Sequence, residues 1–241
     1  MIFFSNDDVK FCIGMTTFNR SDYLERSLTT LKKVNYLPET KFVFVDDCST
    51  DTKVNDLILD FVKEKSDTVQ SFYFKNSTNI GSLENYLNLL NRMKEIESDF
   101  YVIIDSDCIF NCNWLYELKR MILLQNDRNK CIYTSWYMPQ NKNQSYYNIL
   151  EEHDSFNVCL TANGTGMVLP KCLMKYFHEE LDREVYNKRH FDGYISWYLV
   201  KKLDLRIIGP KASYMDHIGI VGVNSSTIEY CDTAYNFLGA E

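Results

Sequence analysis

Between residues 11 and 105 the chain repeats one unit: a short apolar run, a polar break, then an amphipathic segment. The runs are "FCIGM" (11–15), "KFVFVDD" (41–47), "SFYF" (71–74) and "FYVIID" (100–105). Runs this continuous read as strands buried on both faces, which is how parallel strands covered by helices look in sequence. The intervening segments have helical spacing. "SDYLERSLTTLKK" places Leu24, Leu28 and Leu31 on one stripe, with Ser21 expected to cap it. The second stripe is Val54, Leu57, Ile58, Phe61 and Val62, and "GSLENYLNLLNRM" follows with Ser82 as the expected cap. Alternating strand and helix predicts an α/β chain with a mostly parallel central sheet flanked by helices.

Open sheets of this kind bind ligands beyond the carboxyl ends of their strands. Every run here ends in polar residues at that edge: Thr16 to Arg20, Asp46-Asp47, Lys75-Asn76 and Asp105-Ser106-Asp107. A lone D-x-D is a solvated turn as readily as a site, so the weight falls on where it lies.

At 241 residues the chain can bury a large core, and no linker divides it, so a single domain of two merged halves is expected. Four prolines and nine glycines exclude a low-complexity chain. A formal charge of −7, from 26 basic and 33 acidic residues, includes no basic block to follow a phosphate backbone, so no nucleic-acid partner is expected. "MIFF" is too short for a signal-peptide core, and no apolar run reaches the length of a membrane span. The expected location is the cytoplasm, soluble or peripheral to a membrane. The eight cysteines contain no C-x-x-C pair and several lie in apolar runs, so they read as reduced core thiols rather than zinc ligands or disulfides.

The second half is less regular. It predicts helices over 113–124 and 191–203, strands in "CIYTSWYM" and "GMVLP", a last strand at "LRIIG", and a polar flap or tail over 221–241. Neither G-x-G-x-x-G nor G-x-x-x-x-G-K-[ST] occurs. A diphosphate could instead be held through a divalent ion, for which two closely spaced strand-end carboxylates are suitable oxygen ligands.

"TTFNR", "VDDCSTD", "NIGSLENYLN" and "DSDCIF", in that order and spacing, resemble the family 2 glycosyltransferases of the GT-A (Rossmann-like) fold. The likeness is strong over residues 10 to 125 and looser to 226. It implies a donor half (1–110), an acceptor and catalytic half (111–220), and an inverting transfer from a nucleotide-diphosphate sugar, most simply UDP-linked, to a hydroxyl. Thr16 and Phe18 would frame the base with Arg20 nearby, Asp47 would accept the uracil N3–H, and Asn79 and Asn85 would line the pocket. Asp105, with Ser106 beside it, would contact ribose or metal, and Asp107 and His217 would hold Mn²⁺ or Mg²⁺. Asp192 would be the base, with the turn Gly164-Thr165-Gly166 on the acceptor side. Alone, Asp192 reads as an acid at a helix N-terminus and His217 as a structural residue. Trp136, Tyr137 and Trp197 are candidates for stacking on sugar rings. The acceptor class stays open among glycan, lipid-linked glycan and protein. Two other readings remain: a catalytically silent nucleotide- or sugar-binding domain of the same fold, and a sugar-nucleotidyltransferase, which would need a glycine-rich basic loop in place of "TTFNR".

Overall fold

In the computed structural model, which describes residues 9–137, 148–219 and 237–239, the β-α repeat of the first half is realised. Strands β1 (Phe11–Thr17), β2 (Lys41–Asp46), β3 (Gln70–Lys75) and β4 (Phe100–Asp105) alternate with helices α1 (Ser21–Leu31), α2 (Thr52–Glu64) and α3 (Ser82–Lys94). All four strands are parallel, in the order β3-β2-β1-β4. β1, β2 and β4 are almost wholly buried, as their unbroken apolar character requires, whereas β3 is half exposed because it forms the edge. Leu24, Leu28 and Leu31 of α1 and Val54, Ile58 and Phe61 of α2 lie inward as the spacing predicts.

The helix starts differ from expectation. Ser21 and Ser82 are the first helical residues, and the cap positions are Arg20, in the left-handed region, and Gly81 at φ 83°. Two carboxylates that the sequence did not single out do cap helices: Asp51 accepts from the Lys53 N–H, and Asp182 from the Val185 N–H.

The second half continues the same sheet. It adds β5 (Cys108–Phe110), α4 (Trp114–Leu123), β6 (Cys131–Thr134), β7 (Ile149–Glu152), β8 (Asn157–Cys159), β9 (Met167–Pro170), α5 (Arg183–Gly193), α6 (Val200–Leu203), β10 (Arg206–Gly209) and β11 (Met215–His217). β9 inserts antiparallel between β4 and β6, and the nine-stranded sheet runs β3-β2-β1-β4-β9-β6-β10-β8-β7. The strands β1 to β4 are thus mutually parallel and the rest of the sheet is mixed. β11 follows the strand expected to be last, and pairs with β5 in a small separate sheet, matching His217 to Cys108.

The helix expected over 191–203 is three pieces. α5 begins earlier, at Arg183, and breaks at His190; a π-helical stretch spans Tyr194–Leu199; α6 completes it. The described cysteines are free thiols: Cys12, Cys108, Cys131 and Cys159 are buried, Cys48 and Cys112 intermediate, Cys172 exposed. Cys231, "MIFF" and nearly all of the 221–241 tail lie outside the described residues. Among those described, no helix is long and apolar enough to cross a membrane.

Candidate active site

The polar ends of β1, β2 and β4 meet at one edge, and each is held by bonds that cross between elements. The chain leaves β1 through two left-handed residues, Asn19 (φ 51°) and Arg20 (φ 58°), an uncommon conformation for non-glycines. Asn19 supports it: its Oδ1 accepts from the Thr50 and Asp51 N–H groups, and its own N–H donates to Ser49 Oγ. Asp46 is fully buried and accepts from Thr17, the Ser49 N–H and the Ser49 hydroxyl.

Asp47 is also buried. Its Oδ1 accepts from Asn76 and the Ile80 N–H, and its Oδ2 from the Gly81 N–H, so the carboxylate builds the loop that leads into α3. Asn79 donates to the Asp47 carbonyl. Asn85 is buried between Asn76 and the Val45 carbonyl, so it supports the loop from behind rather than facing a ligand. Phe18, by contrast, is 38% exposed beside these loops and free to stack.

Asp105 ends β4, Ser106 lies in the turn, and Asp107 precedes β5. Asp105 Oδ1 accepts from the Tyr86 hydroxyl and, at 3.4 Å, from Thr16. Burial raises its pKa, and the neighbouring charge of Asp107 adds to that. Asp107 behaves oppositely. Burial opposes its charge, but His217 and Arg20 outweigh it and hold the carboxyl below its usual range. Arg20 Nη1 lies 2.8 Å from Asp107 Oδ2, and His217 Nε2 3.0 Å from Oδ1. The Ile218 N–H donates to the Asp107 carbonyl, and a Cβ on Gly219 would overlap the Asp107 carboxylate, so only glycine fits there. Arg20, expected beside the base, is turned toward this acid.

Asp107 Oδ1 and His217 Nε2 pair directly at 3.0 Å, and both are atom types that bind Mn²⁺ or Mg²⁺, so an ion held here would replace this contact. Asp105 does not complete a trio. Among the described residues no group of three or more His, Cys, Asp or Glu forms a metal-binding set, and Asp105 Oδ1 is engaged by Tyr86 and Thr16. The residues fit an ion held by two side chains and otherwise by ligand oxygens and water.

Asp192 is exposed, and two routes tie it to the D-x-D turn. Along one, Thr165 Oγ1 accepts the Asp105 N–H, and Gly164 lies against Asp192, its notional Cβ 3.7 Å from that of Asp192. Along the other, the Tyr86 ring stacks on Phe191 at 4.8 Å between centroids and 6° between planes, while its hydroxyl holds Asp105. Thr165 and Gly166 are buried and Gly166 bonds to Ile103 and Ser135, so the turn shapes the cleft, and Gly164 is its only intermediate residue. Trp136, a candidate for sugar stacking, is core; Tyr137 is half-buried with its N–H on Ser213; Trp197 is 41% exposed beside Gly193. Tyr86 was not foreseen. Its signals were its place in "NIGSLENYLN" and a polar-tipped aromatic in the first turns of a helix leaving the ligand edge.

His190, two residues before Asp192, has φ 59° and ψ −178°, a region that is essentially glycine-only and costs a side chain about 1–3 kcal/mol. His190→Gly is therefore expected to stabilise the fold by about 1 kcal/mol, after the greater freedom of glycine in the unfolded chain is subtracted. Urea unfolding checks this, and a lower midpoint in the variant counts against strain at His190.

Residues 12–204 match glycosyl transferase family 2. The chain belongs to that family. No curated protein sequence matches it. Among solved structures, Staphylococcus aureus TarS (residues 1–349, with UDP-GlcNAc) superimposes at TM-score 0.60 and 19% identity, covering 89% of this chain and 62% of TarS. GalNAc-T7 with UDP, GalNAc and Mn²⁺ gives 0.64 and 12%, covering 89% and 44%. The mannosyltransferase PcManGT of Pyrobaculum calidifontis with GDP-Man and Mn²⁺ gives 0.52 and 13%, covering 85% and 58%. At these identities the superpositions establish the shared GT-A fold alone. This family 2 chain spans from 44% to 62% of the length of these three neighbours.

Proposed function

We propose that the protein is an inverting glycosyltransferase that moves a sugar from a nucleotide-diphosphate donor, UDP-linked, to an acceptor hydroxyl. The observation that carries this reading is the junction of the paired Asp107 and His217 with Asp192 through Tyr86 and Thr165. Two of the structural neighbours were solved with uridine nucleotides and one with a guanosine nucleotide, and two with Mn²⁺, which favours the same ligand classes here.

Phe18 stacks on the base, and Thr16 lines the same edge. Asp47 retains one acceptor direction on Oδ2 for a base N–H, since a carboxylate offers about four. Asp105 serves the ribose side. Asp107 and His217 would hold Mn²⁺ or Mg²⁺, which would supply positive charge to offset that gained by a departing diphosphate. Asp192 takes the proton of the acceptor hydroxyl as its oxygen attacks C1; the C1–O bond to the diphosphate breaks, and the diphosphate leaves with the electron pair. Inversion follows from a single displacement, and no protein nucleophile is needed. The acceptor is a glycan, lipid-linked or protein hydroxyl approaching past Gly164.

Titration calorimetry of UDP and of GDP, each with Mn²⁺ and with EDTA, tests the donor site. UDP is expected to bind at least about tenfold tighter with metal. Binding of neither nucleotide in either buffer would sink the reading in favour of a silent GT-A domain, and slow metal-dependent hydrolysis of a UDP-sugar in water would separate an enzyme from a binding relic.

A further inference from the structure

Arg20 is held on two sides and incomplete on a third. Its Nη1 donates to Asp107 Oδ2 at 2.8 Å, and its guanidinium carbon lies 4.3 Å from the centroid of the Tyr23 ring, which fixes the plane of the group. Its Nη2 is buried and has no hydrogen-bond partner, although the side chain as a whole is 26% exposed. An unpaired buried donor costs about 1–3 kcal/mol, and more for a charged group, so such an atom in a ligand cleft points to an acceptor that arrives with the ligand. Guanidinium presents a planar fork suited to oxyanions, and Asp107 engages one prong of it.

We propose that Arg20 is a resident counter-cation shared between Asp107 and the diphosphate of the donor, with Nη1 remaining on Asp107 and Nη2 donating to a phosphate oxygen. The inference rests on the donor reading above and adds a metal-independent handle to it. Arg20 stands on Oδ2 of the carboxylate whose Oδ1 faces His217, so an ion beside His217 would meet the oxygen that Arg20 leaves open. The positive charge of Arg20 opposes a cation at Asp107 until a diphosphate brings its own negative charge. Metal and diphosphate therefore bind best together, and a diphosphate keeps part of its affinity when metal is removed.

The test uses inorganic pyrophosphate in EDTA, followed by calorimetry, and Mn²⁺ alone, followed by electron paramagnetic resonance. Arg20→Gln is expected to weaken pyrophosphate about tenfold and to tighten Mn²⁺ about tenfold, since one nearby charge is removed in each case. Arg20→Lys keeps the charge and loses the fork, so it should weaken pyrophosphate while leaving Mn²⁺ near wild type. A merely structural Arg20 would not move the two affinities in opposite directions. If either affinity in a folded Arg20→Gln protein stays within about twofold of wild type, the shared-cation role is overturned. Should that variant not fold, the Lys variant decides alone, and unchanged pyrophosphate binding overturns the role. Should wild type bind neither UDP nor GDP while pyrophosphate and Mn²⁺ respond as stated, the donor reading fails and the Arg20 role stands.

Discussion

Asp192→Asn is expected to lower kcat by roughly 10² to 10⁴ while leaving UDP affinity in Mn²⁺ unchanged, the usual worth of a positioned general base. The substitution keeps the shape of the side chain and removes its ability to accept a proton. Asp192 is solvent-exposed and touches the cleft through Gly164, so folding should not depend on its charge. Its position depends on neighbours that do not change: Phe191 stays stacked on Tyr86, and the helix kink at His190 starts the helical stretch that carries Asp192. Single-turnover transfer with a UDP-sugar, read beside calorimetry, separates chemistry from binding. Near-normal turnover with normal binding would remove Asp192 from the role.

The first half was legible because its information is local. Leu24, Leu28 and Leu31 recur at helical spacing, and the apolar run of β4 stops at Asp105, so burial pattern and polar strand end are both written in adjacent residues. The second half depends on contacts between residues far apart in the chain. Nothing near Met167 reveals that β9 lies antiparallel between β4 and β6, and nothing near Cys108 reveals that it opposes His217. Capping went wrong at Ser21 and Ser82 because Arg20 and Gly81 adopt backbone conformations with positive φ, set by the loops they close. Side chains were harder still. Asp47 and Asn85 read as ligand contacts by motif, yet they are buried and bond mainly to the protein, whereas Tyr86, within "NIGSLENYLN" but given no role there, joins the D-x-D turn to the candidate base.

Asp107→Asn should abolish the metal dependence of nucleotide binding: the ratio of UDP dissociation constants in EDTA and in Mn²⁺, expected at about 10² in wild type, should fall to about one. Asparagine keeps one oxygen to accept from Arg20 and turns an N–H2 toward His217, whose ring nitrogen can accept when neutral, so the turn is preserved better than with alanine, but it lacks the charge that draws a divalent ion out of water. The loss should come from the Mn²⁺ arm. In EDTA the variant should bind UDP at least as well as wild type, because Arg20, freed of a competing carboxylate, turns its full charge to the diphosphate. Thermal unfolding of the variant controls for damage to the β5–β11 pair that presents His217. An Asp107→Asn protein whose UDP affinity still rises about 10² with Mn²⁺ would move the ion elsewhere, and with it the assignment of His217. Equal loss in both buffers would mean that Asp107 shapes the pocket instead of holding the ion. The predicted pattern requires the carboxylate to serve two cations at once, one built into the chain at Arg20 and one recruited with the donor.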